Sequence, residues 1–248
     1  MYGLEAMTFE DVRNAVVSEG KIHAKEFGVG FTLLIIFDAF IRSTSVGKVA
    51  RWKCIHAFAN LLVSYFCIDD LVKTAFDPIG ATKGIRGVDY SMKPAYMILC
   101  VHIYHVLPFL GFKLHDGDLF HHLVFVGIVG PVGIAFDTGP LQNFVAFFIC
   151  GLPGALDYIM LTLVKLKKIS KYDEKVWNAR INVWIRSPGL TIAACFIYLG
   201  ILYGDEESRC KKMPVLAFAT AALILINGQY YSQVVVGNTF RTVQRYNS

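Results

Sequence analysis

Charge is scarce in this chain: Asp, Glu, Lys and Arg make up 17% of its 248 residues, against 55% hydrophobic. With a mean hydropathy of +0.49, that balance lies above what a soluble globular domain carries and excludes disordered and collagen-like chains. The six cysteines (Cys54, Cys67, Cys100, Cys150, Cys195, Cys210) form no Cys-x-x-Cys pair, and five lie in or at the edge of apolar segments. They exclude a disulfide scaffold and read as reduced packing residues. Residues 1–26 hold five acids and three bases, without the basic start and apolar middle of a cleaved signal and too acidic for a mitochondrial transit peptide. Internal repeats and low-complexity tracts are absent as well. The net charge of +5 comes from bases clustered between apolar stretches rather than along one polar face. Bilayer topology therefore accounts for them, and nucleic acid is not expected as a partner.

What is abundant is long apolar sequence. A spanning helix needs about 20 mainly apolar residues, and seven such stretches are expected at 27–46, 54–73, 94–112, 118–136, 139–165, 183–204 and 213–236. A short interfacial helix is expected before them, with Thr8 and Asp11 as a capping pair and Phe9, Val12 and Val16 on one face. Lys48, Arg51 and Lys53 mark a basic loop between the first two spans. The third, fourth and fifth spans follow one another through very short turns, which makes them antiparallel neighbours. The fifth carries Gly151-Leu152-Pro153-Gly154 in its middle, where proline removes a backbone hydrogen bond and predicts a kink that either lines something or merely packs. On a seven-span topology the two sides carry 10 and 14 Lys and Arg, with six bases from Lys165 to Arg180. The positive-inside rule puts that loop and the carboxyl terminus in the cytoplasm.

Ionisable groups in hydrocarbon are costly, so those present are candidates for a functional interior. Asp38 and Arg42 are i,i+4 and read as a local ion pair that snorkels. His56, Asp69 and Asp70 belong to the second span. Five of the seven histidines fall between His102 and His122. His102 and His105 share roughly one face of the third span, and Asp118 stands i,i+4 to His122, with His121 beside it. A carboxylate next to an imidazole fixes its tautomer, as a general base or a ligand requires. Seven histidines are too few for a membrane di-iron oxygenase, and no metal is expected. Haem held by His105 and His122 is an alternative. Retinal is excluded, because 213–236 contains no lysine.

Three strings then carry a resemblance. Arg51-Trp52-Lys53-Cys54-Ile55-His56-Ala57, Asp118-Leu119-Phe120-His121-His122, and Asn143 to Leu166 with Asn178 to Arg186 resemble the signatures of TLC-domain proteins, the superfamily that includes ceramide synthases. The resemblance covers about residues 27–240. It implies six core helices around a lipid-accessible cavity and residence in the endoplasmic reticulum. It also implies acyl transfer with His122 as base or acyl acceptor, His121 as its companion and Asp118 as the orienting carboxylate. The His-Asp-x-x-Asp segment of the ceramide synthases is not seen: lone Asp137 and Asp157 are its nearest counterparts, and Gly151 stands where an acid is common.

The expectation is an all-α integral membrane protein, a seven-span bundle with a TLC-like six-helix core over 27–240, preceded by the 1–26 segment and followed by a tail at 241–248. His102, His105 and Asp157 are expected to line a polar cavity with Asp118 and His122, binding, sensing or modifying a long-chain membrane lipid. The alternative is a catalytically inactive accessory subunit of a large membrane complex, to which the missing carboxylates and the aromatics Tyr230, Tyr231, Phe240 and Tyr246 are suited.

Overall fold

The computed structural model describes residues 10, 13, 14, 17, 18, 24–84, 89–107, 111, 127 and 130–247. Among the described residues, eight helices carry the fold: α1 Ala24–Arg42, α2 Ser45–Phe76, α3 Lys93–Val106, α4 Gly130–Ala135, α5 Pro140–Lys165, α6 Lys171–Tyr203, α7 Arg209–Lys212 and α8 Pro214–Asn247. Ahead of α1, the described residues Glu10, Arg13, Asn14, Val17 and Ser18 are helical and exposed, and Arg13 pairs with Glu10 at 2.8 Å. Thr8 and Asp11 lie outside the described residues.

Local chemistry sets the helix ends. Thr44 Oγ1 accepts from Gly47 N at 3.1 Å and caps α2, so the helix starts at Ser45, nine residues before the expected span. The predicted basic loop is therefore helical, with Lys48, Arg51 and Lys53 in its first turns. Ser170 caps α6 by accepting from Asp173 N at 3.0 Å. Lys171 to Arg180, expected as loop, is consequently helix too. Residues 241–247, expected as a tail, continue α8. Gly139, with φ +69°, turns the chain into Pro140 where a Cβ would lie 2.6 Å from Lys83 O.

Two helices widen ahead of a proline. In α5 the turn Phe147–Gly151 is π-helical before Pro153, and in α6 the turn Asn182–Arg186 is π-helical before Pro188. A proline ring clashes with the carbonyl four residues back, here Ile149 and Trp184, and both lie inside the widened turns, which relieve the clash. The kink expected at Gly151 to Gly154 is thus present as a wide turn.

Among the described residues, four helices (α2, α5, α6 and α8) are long and apolar enough to cross a bilayer. Of the other expected spans, α1 carries Lys25, Glu26, Asp38 and Arg42, α3 has 14 described residues, and the fourth is described only at 127 and 130–136. The fold is all-α, with several long apolar helices of the kind that form a multi-span membrane bundle. Large apolar side chains stand outward on these helices, including Ile36 at 62% exposure, Leu61, Ile68, Leu223 and Ile226, a surface suited to lipid rather than water.

Lipid tails are as apolar as leucine, so close packing rather than the hydrophobic effect holds such helices together. One packed group joins α1, α2 and α3 through Leu34, Ile55, Val63, Cys67, Met97 and Tyr104. A second joins α5, α6 and α8 through Leu141, Phe144, Leu190, Ile197, Ala217 and Ile224. Contact between α2 and α5 unites the two groups. There the α5 break faces a polar stripe on α2: a Cβ at Gly154 would lie 2.6 Å from Asn60 Nδ2, and one at Gly151 would lie 3.2 Å from Ser64 Oγ.

Candidate functional site

Asp38 comes first because its charge is the most enclosed in the α1–α2–α3 group. Its side chain is 3% exposed. Arg51 grips it with two donors, Nε to Oδ1 and Nη2 to Oδ2, both at 2.6 Å. Tyr104 Oη donates to Oδ2 at 2.8 Å and Arg42 Nε at 3.1 Å. The snorkelling pair read from the sequence is corrected here: the Arg42 contact exists, but Asp38 is buried and its principal partners come from α2 and α3. Two planar donors matched to one carboxylate give strong, directional pairing. The three helices are thereby fixed at one end, just where α2 departs from regular geometry at Ala50 (φ −136°, ψ 20°).

One turn along α2 from Arg51, the imidazoles gather. His56 and His105 have ring centroids 4.8 Å apart, and His102 lies 5.7 Å from His105. Trp52 covers both His56, at 4.9 Å, and His105, at 4.3 Å, while Tyr158 of α5 packs on His56 at 4.6 Å. His56 and His105 are 6% and 2% exposed. His56 Nδ1 lies 3.0 Å from Trp52 O, and His102 Nδ1 lies 2.6 Å from Ile98 O. A carbonyl only accepts, so Nδ1 carries a proton in both rings. Such a cluster can take a proton from, or accept a hydrogen bond from, a hydroxyl or ammonium group. Lys53 Nζ, 5.7 Å over the Tyr158 ring, adds positive charge beside it.

Next to Tyr158, Asp157 faces α6 instead of the histidines. Asn178 Nδ2 donates to Asp157 Oδ1 at 2.8 Å and stands 3.4 Å from Glu174 Oε1. Glu174, 1% exposed, holds Lys175 at 3.0 Å. Asn182 Nδ2 donates to Asn178 Oδ1 at 2.7 Å. The chain of contacts then stops. Among the described residues, neither Asn182 Oδ1 nor Arg186 Nε has a hydrogen-bond partner, although both atoms are buried. The Arg186 guanidinium lies over the Tyr231 ring of α8, 4.1 Å from the ring centroid. Asn227 Oδ1, on the same helix as Tyr231, is likewise buried and unmatched.

The structure thus brings His102 and His105 together and sets Asp157 one residue from the Tyr158 ring that touches His56. Asp118, His121 and His122 lie outside the described residues, and so does the haem pair through His122. Among the described residues, no three His, Cys, Asp or Glu side chains stand together as metal ligands. Sequence reasoning does not place His56, Trp52, Tyr158 and the Asp38–Arg51–Tyr104 network in the site. A signal was available in His56, Asn60 and Ser64, polar residues four apart on an apolar helix. A scan of protein-family models and searches of curated proteins and of solved structures return no match.

Proposed function

We propose that this is a seven-span, TLC-like membrane protein of the endoplasmic reticulum that binds, senses or modifies a long-chain lipid, taking the lipid's polar head into the seam between the histidine cluster and Arg186. The observation that carries the reading is that Arg186 Nε and Asn182 Oδ1, a donor and an acceptor four residues apart on α6, are both buried without a hydrogen-bond partner among the described residues. Leaving a buried polar group without a partner costs about 1–3 kcal/mol, so a donor and acceptor left together favour a ligand that supplies both complements. Imidazoles at one end of the seam and a guanidinium at the other suit a head that carries hydroxyl, amine or phosphate groups. In the acyl-transfer form of this reading, His122 is base or acyl acceptor, oriented by Asp118 and accompanied by His121.

The test is the lipid that travels with the protein. Wild-type protein purified in mild detergent is expected to retain a long-chain lipid in fixed proportion, identified by mass spectrometry, and Arg186→Met and His105→Ala should lose it while keeping their thermal midpoints. Equal retention by well-folded variants overturns the reading.

A second reading, a scaffold subunit of a larger complex, is favoured by the outer flank of late α8. There Tyr230, Phe240 and Tyr246 stand 64%, 67% and 60% exposed beside Gln233, Asn238 and Arg241. Co-migration with a large assembly on native gels, lost on Tyr230→Ala and Phe240→Ala, supports it, and migration as a small free species counts against it.

A further inference from the structure

At the end of the bundle where α1 and α3 begin, these two helices and α2 enclose a cleft of about 390 Å³ lined by Lys25, Glu26, Leu33, Phe66, Lys93 and Met97. It is far from the histidine cluster in the fold. Lys93 opens α3, whereas His102 and His105 close it.

The rim is charged and the floor is not. Lys25 and Lys93 are exposed at the mouth, and Lys93 Nζ sits 5.6 Å over the Phe66 ring. With Glu26 the rim carries a net charge of +1, from two lysines and one glutamate. Met97 is 2% exposed, and Gly30 brings α1 so close to α3 that a Cβ there would lie 2.9 Å from Cys100 Sγ. From this floor an apolar stripe runs along α1 through Val29, Leu33, Ile36 and Phe40, spaced four, three and four residues apart and therefore on one helical face. Val29, Ile36 and Phe40 are 51%, 62% and 62% exposed. From Val29 to Phe40 the stripe covers 12 residues, a rise of about 16 Å over its 11 α-helical steps, which is a length of acyl chain.

A cationic mouth at the end of an outward-facing apolar stripe matches one kind of ligand: a lipid with an anionic head and a straight hydrocarbon tail. We propose that the α1–α2–α3 cleft is a binding site for an anionic membrane phospholipid, with its phosphodiester between Lys25 and Lys93 and an acyl chain along Val29 to Phe40. This inference does not rest on the function proposed above, which concerns the interior at the other end of α3.

The experiment titrates delipidated protein in detergent with phosphatidylglycerol or with phosphatidylcholine of the same chains and counts bound lipid by native mass spectrometry. Wild-type protein is expected to prefer phosphatidylglycerol. Each single change, Lys25→Gln or Lys93→Gln, should cut that preference about fivefold, and the double variant should cut it about thirtyfold. Leu33→Trp fills the cleft and should also abolish it. Val29→Trp, at the exposed rim where folding is not at stake, should weaken it. Equal binding of the two lipids overturns the proposal. So does a preference that survives the double lysine variant, which places the anion elsewhere. A preference unmoved by both tryptophan variants overturns it too, since it denotes surface attraction without the cleft.

Discussion

Arg51 and Arg42 both touch Asp38, yet their removal is expected to differ by several kcal/mol, and the reason lies in what each leaves behind. Arg51→Gln strips the bidentate partner from a carboxylate whose side chain is 3% exposed. Breaking a buried pair in this way costs about 3–5 kcal/mol, because only Tyr104 and the half-exposed Arg42 then remain to compensate the buried charge. Asp38→Asn leaves Arg51, whose side chain is 19% exposed and can turn toward headgroups or water, and Tyr104 can still donate to the amide oxygen. About 2–3 kcal/mol is expected there. Arg42 is 48% exposed, so Arg42→Gln should cost about 0–1 kcal/mol, as an exposed ion pair does. The order Arg51→Gln, Asp38→Asn, Arg42→Gln is read from equilibrium unfolding in mixed detergent and denaturing-surfactant micelles. A double-mutant cycle between Arg51 and Asp38 isolates their coupling. Equal losses for the two arginine variants, or a loss under about 1 kcal/mol for Arg51→Gln, refute the reasoning, because Asp38 would then reach solvent without help.

Gly154→Ala puts a methyl group 2.6 Å from Asn60 Nδ2 and should destabilise by about 1–3 kcal/mol in the same unfolding assay, with Asn60→Ala relieving most of that cost. At Cys210 of α7, burial pushes the thiol up to about 11, so maleimide at pH 7–8 should leave Cys210 unmodified until the protein unfolds, as peptide mass spectrometry will show. The exposed pair Lys83 and Asp205, 2.5 Å apart, holds the Asp205 carboxyl below its ordinary value and the Lys83 ammonium above its own through their mutual hydrogen bond. Its contribution is therefore present above the ordinary carboxylate range and lost as pH falls through the Asp205 value. It is likewise present below the ordinary lysine range and lost as pH rises through the Lys83 value. Thermal midpoints of wild type and Asp205→Asn should converge on acidification and in high salt, and divergence in acid contradicts the assignment.

The long apolar helices were legible because hydropathy depends on composition alone, and the α5 break was legible because Pro153 acts on its own helix. Reading failed where charge was taken as loop. Lys48, Arg51 and Lys53 looked like a connection, but the Thr44 cap starts the helix ahead of them and Asp38 gives Arg51 a reason to turn inward. The crowding of histidines between residues 102 and 122 points to α3, where His102 and His105 stand 5.7 Å apart. The imidazole that meets His105 comes from residue 56 on another helix, and no local pattern gives a contact across that separation. Asn178 to Arg186 was visible as a string with a resemblance. That Glu174 is buried while Trp177 is exposed depends on how α6 is rotated against α5 and α8, which sequence periodicity does not fix in so polar a segment.

The same rotation separates two roles for the interior polar groups. Arg51 and Asp69 are 18 residues apart on α2, about 27 Å, close to the thickness of a hydrocarbon core. His56, Asn60 and Ser64 descend through that interval in steps of about 6 Å. Between helices in lipid, polar side chains and small residues supply adhesion, and most of this seam acts so: Ser64 Oγ donates to Asn60 O at 2.8 Å, Gly151 and Gly154 admit the stripe, and Asn178 bridges Asp157 to α6. A seam that served adhesion alone would be matched throughout, since each buried unmatched group opposes the packing it is meant to secure. Among the described residues, buried atoms without a hydrogen-bond partner stand at Asn143 Oδ1 of α5, beside Asp70, and at Asn182 and Arg186, the two ends of the widened turn in α6. On the function proposed above, the adhesive part of the seam ends at Asn178 and the part proposed to take a ligand begins one turn later.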